Sequence, residues 1–289
     1  MKHIKFFLVA IFAVFAFQAC SDSDTVTAPE NNLELTSQEI LNVSYGTDND
    51  QKFDLYLPAN RTLDTKVMVL VHGGAWYSGD KQDMNEIKTL IRQEFPDIAI
   101  VNINYRLATE TVFPYPMQID DITTVVNLLK ANQNDYVISD DLGFLGVSAG
   151  ANLSLLWSYA FDTNDQVQMV ASIVAPTNFT DPAYLESNNP LVLQIVNAFG
   201  ENPSQEFLEE ISPYHRATTS SPPTILFNGG NDPLVPISQG IDMDAKLTSL
   251  GVTHSFTLYP DEGHGWEGAA FNDTFSSIKS FIQTHLEDE

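Results

Sequence analysis

The chain is poor in cysteine: Cys20 is the only one among 289 residues. No disulfide can close within it, so the fold must rest on a hydrophobic core and its hydrogen bonds. Positive charge is equally scarce. Thirteen Lys and Arg face 38 Asp and Glu, a formal charge of −25 at pH 7. That balance excludes nucleic acid and other polyanions as partners, because binding them requires neutralising their charge. Neutral substrates meet no such barrier. There is no apolar run of the roughly 20 residues a membrane-spanning helix needs. No fixed-period repeat and no long Gly/Pro/Ser linker appears, which argues against a solenoid or a chain of separate domains. The histidines lack metal-ligand spacing such as H-E-x-x-H, so neither zinc nor any other cofactor is expected.

What is present begins with an address. Lys2 and Lys5 precede an uncharged apolar run from Phe6 to Phe17, the length of a signal-peptide core, so residues 1–19 read as a signal peptide. The stretch Phe17-Gln18-Ala19-Cys20 resembles the lipobox of bacterial lipoproteins, although Phe17 and Gln18 depart from its usual residues. The resemblance implies lipidation at Cys20 and export to the bacterial outer membrane, facing the periplasm or the surface. Residues 20–38 start with Ser21-Asp22-Ser23-Asp24, show no apolar periodicity and read as a flexible tether.

Residues 39–289 suffice for one large domain. Residues 40–45 and 53–57 alternate apolar and polar positions around Gly46-Thr47-Asp48-Asn49-Asp50, an antiparallel hairpin pattern. Val67 to Val71 and Ile98 to Val101 are continuous apolar runs, as expected of strands buried on both faces. Further strands are expected at 142–147, 169–174, 224–227 and 253–258. Helical spacing recurs at 84–95, 119–132, 149–161, 237–250 and 273–286. Strands alternating with helices predict an α/β fold: a mostly parallel central sheet with helices on both faces, its site at the carboxyl ends of the strands.

Gly146-Val147-Ser148-Ala149-Gly150 is a G-x-S-x-G match. About 0.1 such matches would arise by chance in a chain this long, so the match alone is weak. Its setting sharpens it. An apolar strand leads in and a helical pattern leads out, as a nucleophile elbow requires, and this nominates Ser148. His72-Gly73-Gly74-Ala75-Trp76 directly follows another strand. The N–H groups of Gly74 and Ala75, with that of Ala149, are the expected oxyanion hole, since fixed backbone dipoles can hold a developing negative charge. His72 itself reads as a brace for that loop.

Elimination finds the base. His3 lies in the signal peptide, His72 in the oxyanion loop, His254 inside a strand and His285 near the end of the last helix. His215 has no loop signal placing it at a strand's carboxyl end. His264 remains, in Gly263-His264-Gly265 after the last strand. The acid should fall between Ser148 and His264. Asp232, in the loop after the 224–227 strand, fits that order, with Asp261 and Glu262 as weaker choices in the histidine's own loop.

Taken together, Tyr56-Leu57-Pro58, the HGGAW loop, Asn104-Tyr105-Arg106-Leu107, GVSAG, Gly230-Asn231-Asp232-Pro233-Leu234-Val235-Pro236 and the GHGW loop resemble the hormone-sensitive-lipase-like branch of the α/β-hydrolase superfamily. Within it the chain is most similar to bacterial acetylxylan and feruloyl esterases. The resemblance implies a Ser148–Asp232–His264 triad cleaving short-acyl or carbohydrate-linked esters. HGGAW also fits the H-G-G-x-W pattern of kynurenine formamidases, which keeps arylformamidase open beside a serine peptidase of this fold. A third reading is a non-catalytic surface binding protein. Residues 176–216, with a helix expected at 191–199, read as a small lid. Trp76, Tyr77, Tyr105 and Trp266 are candidates to line the pocket, or simply to pack.

Overall fold

The computed structural model describes residues 35–287. The expected signal peptide, Cys20 and most of the tether lie outside the described residues. In chain order the elements are β1 (Gln38–Ser44), β2 (Lys52–Leu57), β3 (Val67–Val71), a 3-10 turn (Lys81–Met84), α1 (Asn85–Glu94), β4 (Ala99–Ile103), α2 (Met117–Ala131) and α3 (Gln133–Tyr136). Then come β5 (Leu142–Val147), α4 (Ala149–Ala160) and β6 (Val167–Ile173). Four short helices follow: α5 (Pro182–Leu185), α6 (Pro190–Asn197), α7 (Gln205–Glu210) and α8 (Pro213–Arg216). The chain continues with β7 (Thr224–Gly229), α9 (Ser238–Leu250), β8 (His254–Tyr259), α10 (Gly268–Ile282) and a π-turn (Gln283–Glu287).

The eight strands form one sheet in the order β1-β2-β4-β3-β5-β6-β7-β8. The β1–β2 hairpin and the β2–β4 pairing are antiparallel. Every pairing from β4 to β8 is parallel. This is the mostly parallel sheet expected from the residue pattern, in the α/β-hydrolase form that the resemblance implies. Side chains alternate across a strand, which explains the uninterrupted apolar run of β3. Val67, Val69 and Val71 join a core with Ile122 and Val125 of α2, Leu155 of α4 and Met243 of α9. Met68 and Leu70 point the other way, into a second core with Ile87 and Ile91 of α1 and Ile278 and Ile282 of α10. Both faces of the sheet are thereby sealed, and the loops at the strand ends are left for chemistry.

The last helix starts at Gly268 rather than at Asp273, where its apolar spacing begins. Its first turn, Gly268-Ala269-Ala270, carries only small residues, and most of it is exposed, so burial leaves no periodic signal there. Trp266 Nε1 donates to Thr274 Oγ1 at 2.9 Å and ties that turn back to the preceding loop.

Residues 176–216 form the expected excursion between β6 and β7. Asp181, Asn189 and Ser204 cap α5, α6 and α7 by accepting from the N–H groups of Ala183, Leu191 and Phe207, and Pro182 and Pro190 occupy first helical positions. A buried carboxamide fastens the base of the excursion. Gln239 of α9 accepts from Thr177 N and Asn178 N, and donates to Asp181 Oδ2 at 2.7 Å. No helix among the described residues is long and apolar enough to cross a membrane.

Candidate active site

Three strands end at one rim of the sheet, and each delivers one residue. Ser148 sits at the turn from β5 into α4 with φ 54° and ψ −118°, a strained conformation for a residue with a side chain. Its N–H donates to the Ile173 carbonyl at 2.8 Å, which holds the elbow against β6. The turn closes because Gly150 lacks a side chain: a Cβ there would meet the carbonyl oxygens of Val71 and His72 at 2.2 and 2.3 Å. The loops after β7 and β8 are laced together, Gly230 N donating to Tyr259 O and Asn231 N to Glu262 O. They bring Asp232 against His264.

The resulting chain of contacts is short. His264 Nε2 lies 2.8 Å from Ser148 Oγ, and His264 Nδ1 lies 2.7 Å from Asp232 Oδ2. The Asp232 side chain is 1 % exposed. Its other oxygen accepts the N–H groups of Leu234 and Val235 at 2.8 and 3.0 Å, so the carboxylate cannot rotate freely. A carboxylate can only accept, so Nδ1 of the neutral imidazole carries the proton and Nε2 is the acceptor facing the serine hydroxyl. The sequence-nominated Ser148, Asp232 and His264 are therefore assembled in one place.

The loop after β3 supplies the opposing wall. Gly74, Ala75 and Trp76 have φ values of 115°, 48° and 68° in succession. Only Gly74 adopts this freely, and a Cβ on it would meet the Ser78 carbonyl oxygen at 2.0 Å. Trp76 holds the loop in place. It is fully buried, with Phe199 at 4.9 Å and Phe179 at 6.0 Å between ring centroids. The backbone N–H groups of Gly74, Ala75 and Ala149 have no acceptor among the described residues. They are free donors beside the serine.

A second tier braces this loop, and the residue pattern hinted at it only as a motif. Asn104 accepts from Lys81 N and donates to Asp80 Oδ2. The Tyr105 hydroxyl donates to the His72 carbonyl at 2.8 Å, and its ring stacks on the His72 imidazole at 4.2 Å. Arg106 forks onto the fully buried Asp121 carboxylate through Nε and Nη2. Gln118 Nε2 caps the carbonyls of Trp76 and Arg106. Asp121, Gln118 and Gln239 had no signal in the one-dimensional pattern beyond being polar residues at apolar helix positions.

His72 is the brace its position suggested. It is fully buried, and Nδ1–H donates to the Gly73 carbonyl at 2.7 Å. Burial lowers its pKa and keeps it neutral. In the unfolded chain the imidazole takes a proton near pH 6.5, while the folded protein resists protonation. The unfolded state then binds more protons below that pH, so His72 favours folding above about 6.5 and loses that contribution as pH falls. Between pH 7 and 5, stability of the wild type should fall more steeply than that of His72→Gln, by up to about 1.4 kcal/mol per pH unit. Parallel slopes in chemical denaturation would remove this account.

A cleft of about 440 Å³ opens over the serine. Gly74, Ala75, Ser78 and Asp83 line it together with Met84, Val147, Ile195 of α6, Leu234 and His264. The candidate aromatics are not there. Trp76 and Tyr105 are fully buried, and Trp266 packs on Tyr259 at 4.9 Å. Tyr77 faces a neighbouring cleft. These large rings serve to fix loop backbone, and Met84, Val147, Ile195 and Leu234 supply the apolar part of a lining that also holds Ser78 and Asp83. Among the described residues no group of three or more His, Cys, Asp or Glu is placed to hold a metal ion.

A family model described as BD-FAE matches residues 53–247. That span reaches from β2 to α9 and contains Ser148 and Asp232. The chain belongs to the BD-FAE family. Among curated relatives, it is 24 % identical over 271 residues to the esterase LipC of Mycobacterium tuberculosis, covering 84 % of this chain and 64 % of LipC. It is also 24 % identical over 268 residues to the dipeptidyl aminopeptidase BIII of Pseudoxanthomonas mexicana, covering 87 % of this chain but 36 % of that enzyme. The chain thus spans less than two thirds of the length of either. A solved truncated carbohydrate esterase from gut microbiota superposes with a TM-score of 0.70 at 20 % identity, over 86 % of this chain and 96 % of that one. At that identity the likeness speaks for the fold.

Proposed function

We propose that this BD-FAE family member is a carboxylic-ester hydrolase acting through an acyl-enzyme on Ser148, with short-acyl esters of neutral sugars as its substrates. The observation carrying this reading is the serine–imidazole–carboxylate relay, with contacts of 2.8 and 2.7 Å, beside three backbone N–H groups that have no acceptor among the described residues.

His264 Nε2 takes the Ser148 proton as Oγ attacks the ester carbonyl carbon. The carbonyl oxygen becomes an oxyanion and accepts from Gly74, Ala75 and Ala149 N–H. Asp232 keeps the proton on Nδ1 and stabilises the imidazolium. Collapse of the tetrahedral intermediate breaks the bond to the alcohol oxygen, which leaves with the proton from Nε2. Water, deprotonated by the same nitrogen, then repeats the sequence and frees the acid and Ser148. The aliphatic walls Met84, Val147, Ile195 and Leu234 suit a small acyl group. The formal charge of −25 disfavours anionic substrates.

Similarity to a peptidase keeps amide cleavage as the second reading. The two are separated by measuring kcat/KM on p-nitrophenyl acetate, acetylated xylo-oligosaccharides, N-formylkynurenine and a dipeptide p-nitroanilide. The acetyl esters should exceed both amides by roughly a hundredfold. Faster turnover of either amide would replace the ester reading.

A further inference from the structure

A second cleft, of about 650 Å³, lies beside the first. The same two elements line both. The loop after β3 gives Ala75 and Ser78 to the cleft over Ser148 and Tyr77 to its neighbour, while α6 gives Ile195 to one and Asn197 to the other. The outer wall is a small turn bridged by Thr109 and Val112, with Glu110 at its tip and Phe113 just beyond. This wall is anchored at both ends. Ala108 N donates to the Trp76 carbonyl at 2.9 Å, and the Tyr115 hydroxyl donates to Glu210 of α7 at 2.6 Å. Tyr77 is fixed too, its hydroxyl donating to the Ala198 carbonyl at 3.1 Å. The cleft is therefore an open groove between two hydrogen-bonded walls.

Its lining has a particular chemistry. Phe113 is 46 % exposed and lies over Gly200, where a Cβ would sit 3.3 Å from the ring. Tyr77 presents a second aromatic ring. Around them are the carboxylates of Glu110 and Glu201 and the carboxamides of Asn197 and Asn202, and no cationic side chain is among the lining residues. Aromatic faces take up the C–H face of a pyranose ring, carboxylates accept from its hydroxyls, and carboxamides both donate and accept. Two carboxylates without a counter-cation repel uronates, sulfates and phosphates.

We propose that this second cleft is a subsite for a neutral sugar unit, with Phe113 as its stacking platform and Glu110 and Glu201 as hydroxyl acceptors that exclude acidic sugars. It deepens the ester-hydrolase reading by giving the alcohol part of the substrate a seat, and it rests on that reading only for its role in turnover. Binding is independent of catalysis and is tested without an ester. Xylotetraose and trigalacturonate are titrated calorimetrically into the intact wild type, Phe113→Ala and Glu201→Gln. Both replaced side chains are exposed, so the variants should fold, which circular dichroism checks. Xylotetraose should bind the wild type, and Phe113→Ala should weaken it about tenfold. Trigalacturonate should bind the wild type more weakly than xylotetraose and gain affinity in Glu201→Gln. An unchanged xylotetraose affinity in Phe113→Ala, no xylotetraose binding by the wild type, or trigalacturonate binding equally well would overturn the proposal. Absent sugar binding with acetyl-ester turnover intact removes the subsite alone. Sugar binding with no ester turnover removes the hydrolase reading alone.

Discussion

Ser148→Ala is expected to lower kcat on p-nitrophenyl acetate by about a million-fold, with the thermal midpoint little changed. The size follows from what is lost: without Oγ no acyl-enzyme forms, and His264 has no proton to take. The free N–H groups of Gly74, Ala75 and Ala149 remain, so a trace of water-driven hydrolysis, roughly a thousandfold over background, should survive. No neighbouring hydroxyl can take over. Ser78 also lines the cleft, but its Oγ donates to the Gly74 carbonyl at 3.0 Å and has no imidazole contact among the described residues. Alanine inherits the same strained φ of 54°, so backbone strain neither rises nor falls much. Initial rates and a burst assay on the two proteins decide the matter, and a variant within tenfold of wild type would end the nucleophile assignment.

Asp232→Asn should cost about ten-thousandfold in kcat, with KM nearly unaffected, for a reason written in the hydrogen bonds around it. Oδ1 of Asp232 is pinned by two donors, Leu234 N and Val235 N. In the asparagine variant only the carboxamide oxygen can satisfy them, so the NH₂ group must turn toward His264 Nδ1. That nitrogen then accepts instead of donating, and the proton moves to Nε2. An imidazole protonated at Nε2 cannot take the serine proton. The substitution is nearly isosteric and should leave stability close to wild type. A KM effect without a kcat effect would show that Asp232 serves binding rather than imidazole orientation.

The residues that carry the proposed chemistry were legible because each sits in a short segment that follows an apolar strand. Ser148 stands between Gly146 and Gly150, His264 between Gly263 and Gly265, and Asp232 after Gly229-Gly230. Close backbone approaches demand Gly146, Gly150, Gly229 and Gly230 and so leave a local mark in the chain, whereas a Cβ on Gly263 or Gly265 would meet nothing nearer than 4.0 Å. The supporting tier left no such mark. Gln239 and Asp121 lie in helices among both polar and apolar residues, and nothing adjacent in the chain says that one meets residues 177, 178 and 181 or that the other meets Arg106. Trp76, Tyr105 and Trp266 were left open between lining the pocket and packing, and they pack. A large ring near a catalytic motif can face a substrate or pack beneath a loop, and the local pattern is the same in both cases.

The sequence by itself determined the alternation of strands and helices and the two-sided burial of the central strands, and it nominated Ser148, Asp232 and His264 for the proposed chemistry, because strand periodicity and tight turns are properties of neighbouring residues. Only the tertiary structure decided that aliphatic Met84, Val147, Ile195 and Leu234 line the cleft over Ser148, that Tyr77 and Phe113 flank a second cleft, and that Gln239 welds the excursion to α9. Those contacts join residues far apart in the chain, and their energies depend on a packing geometry that no local window contains.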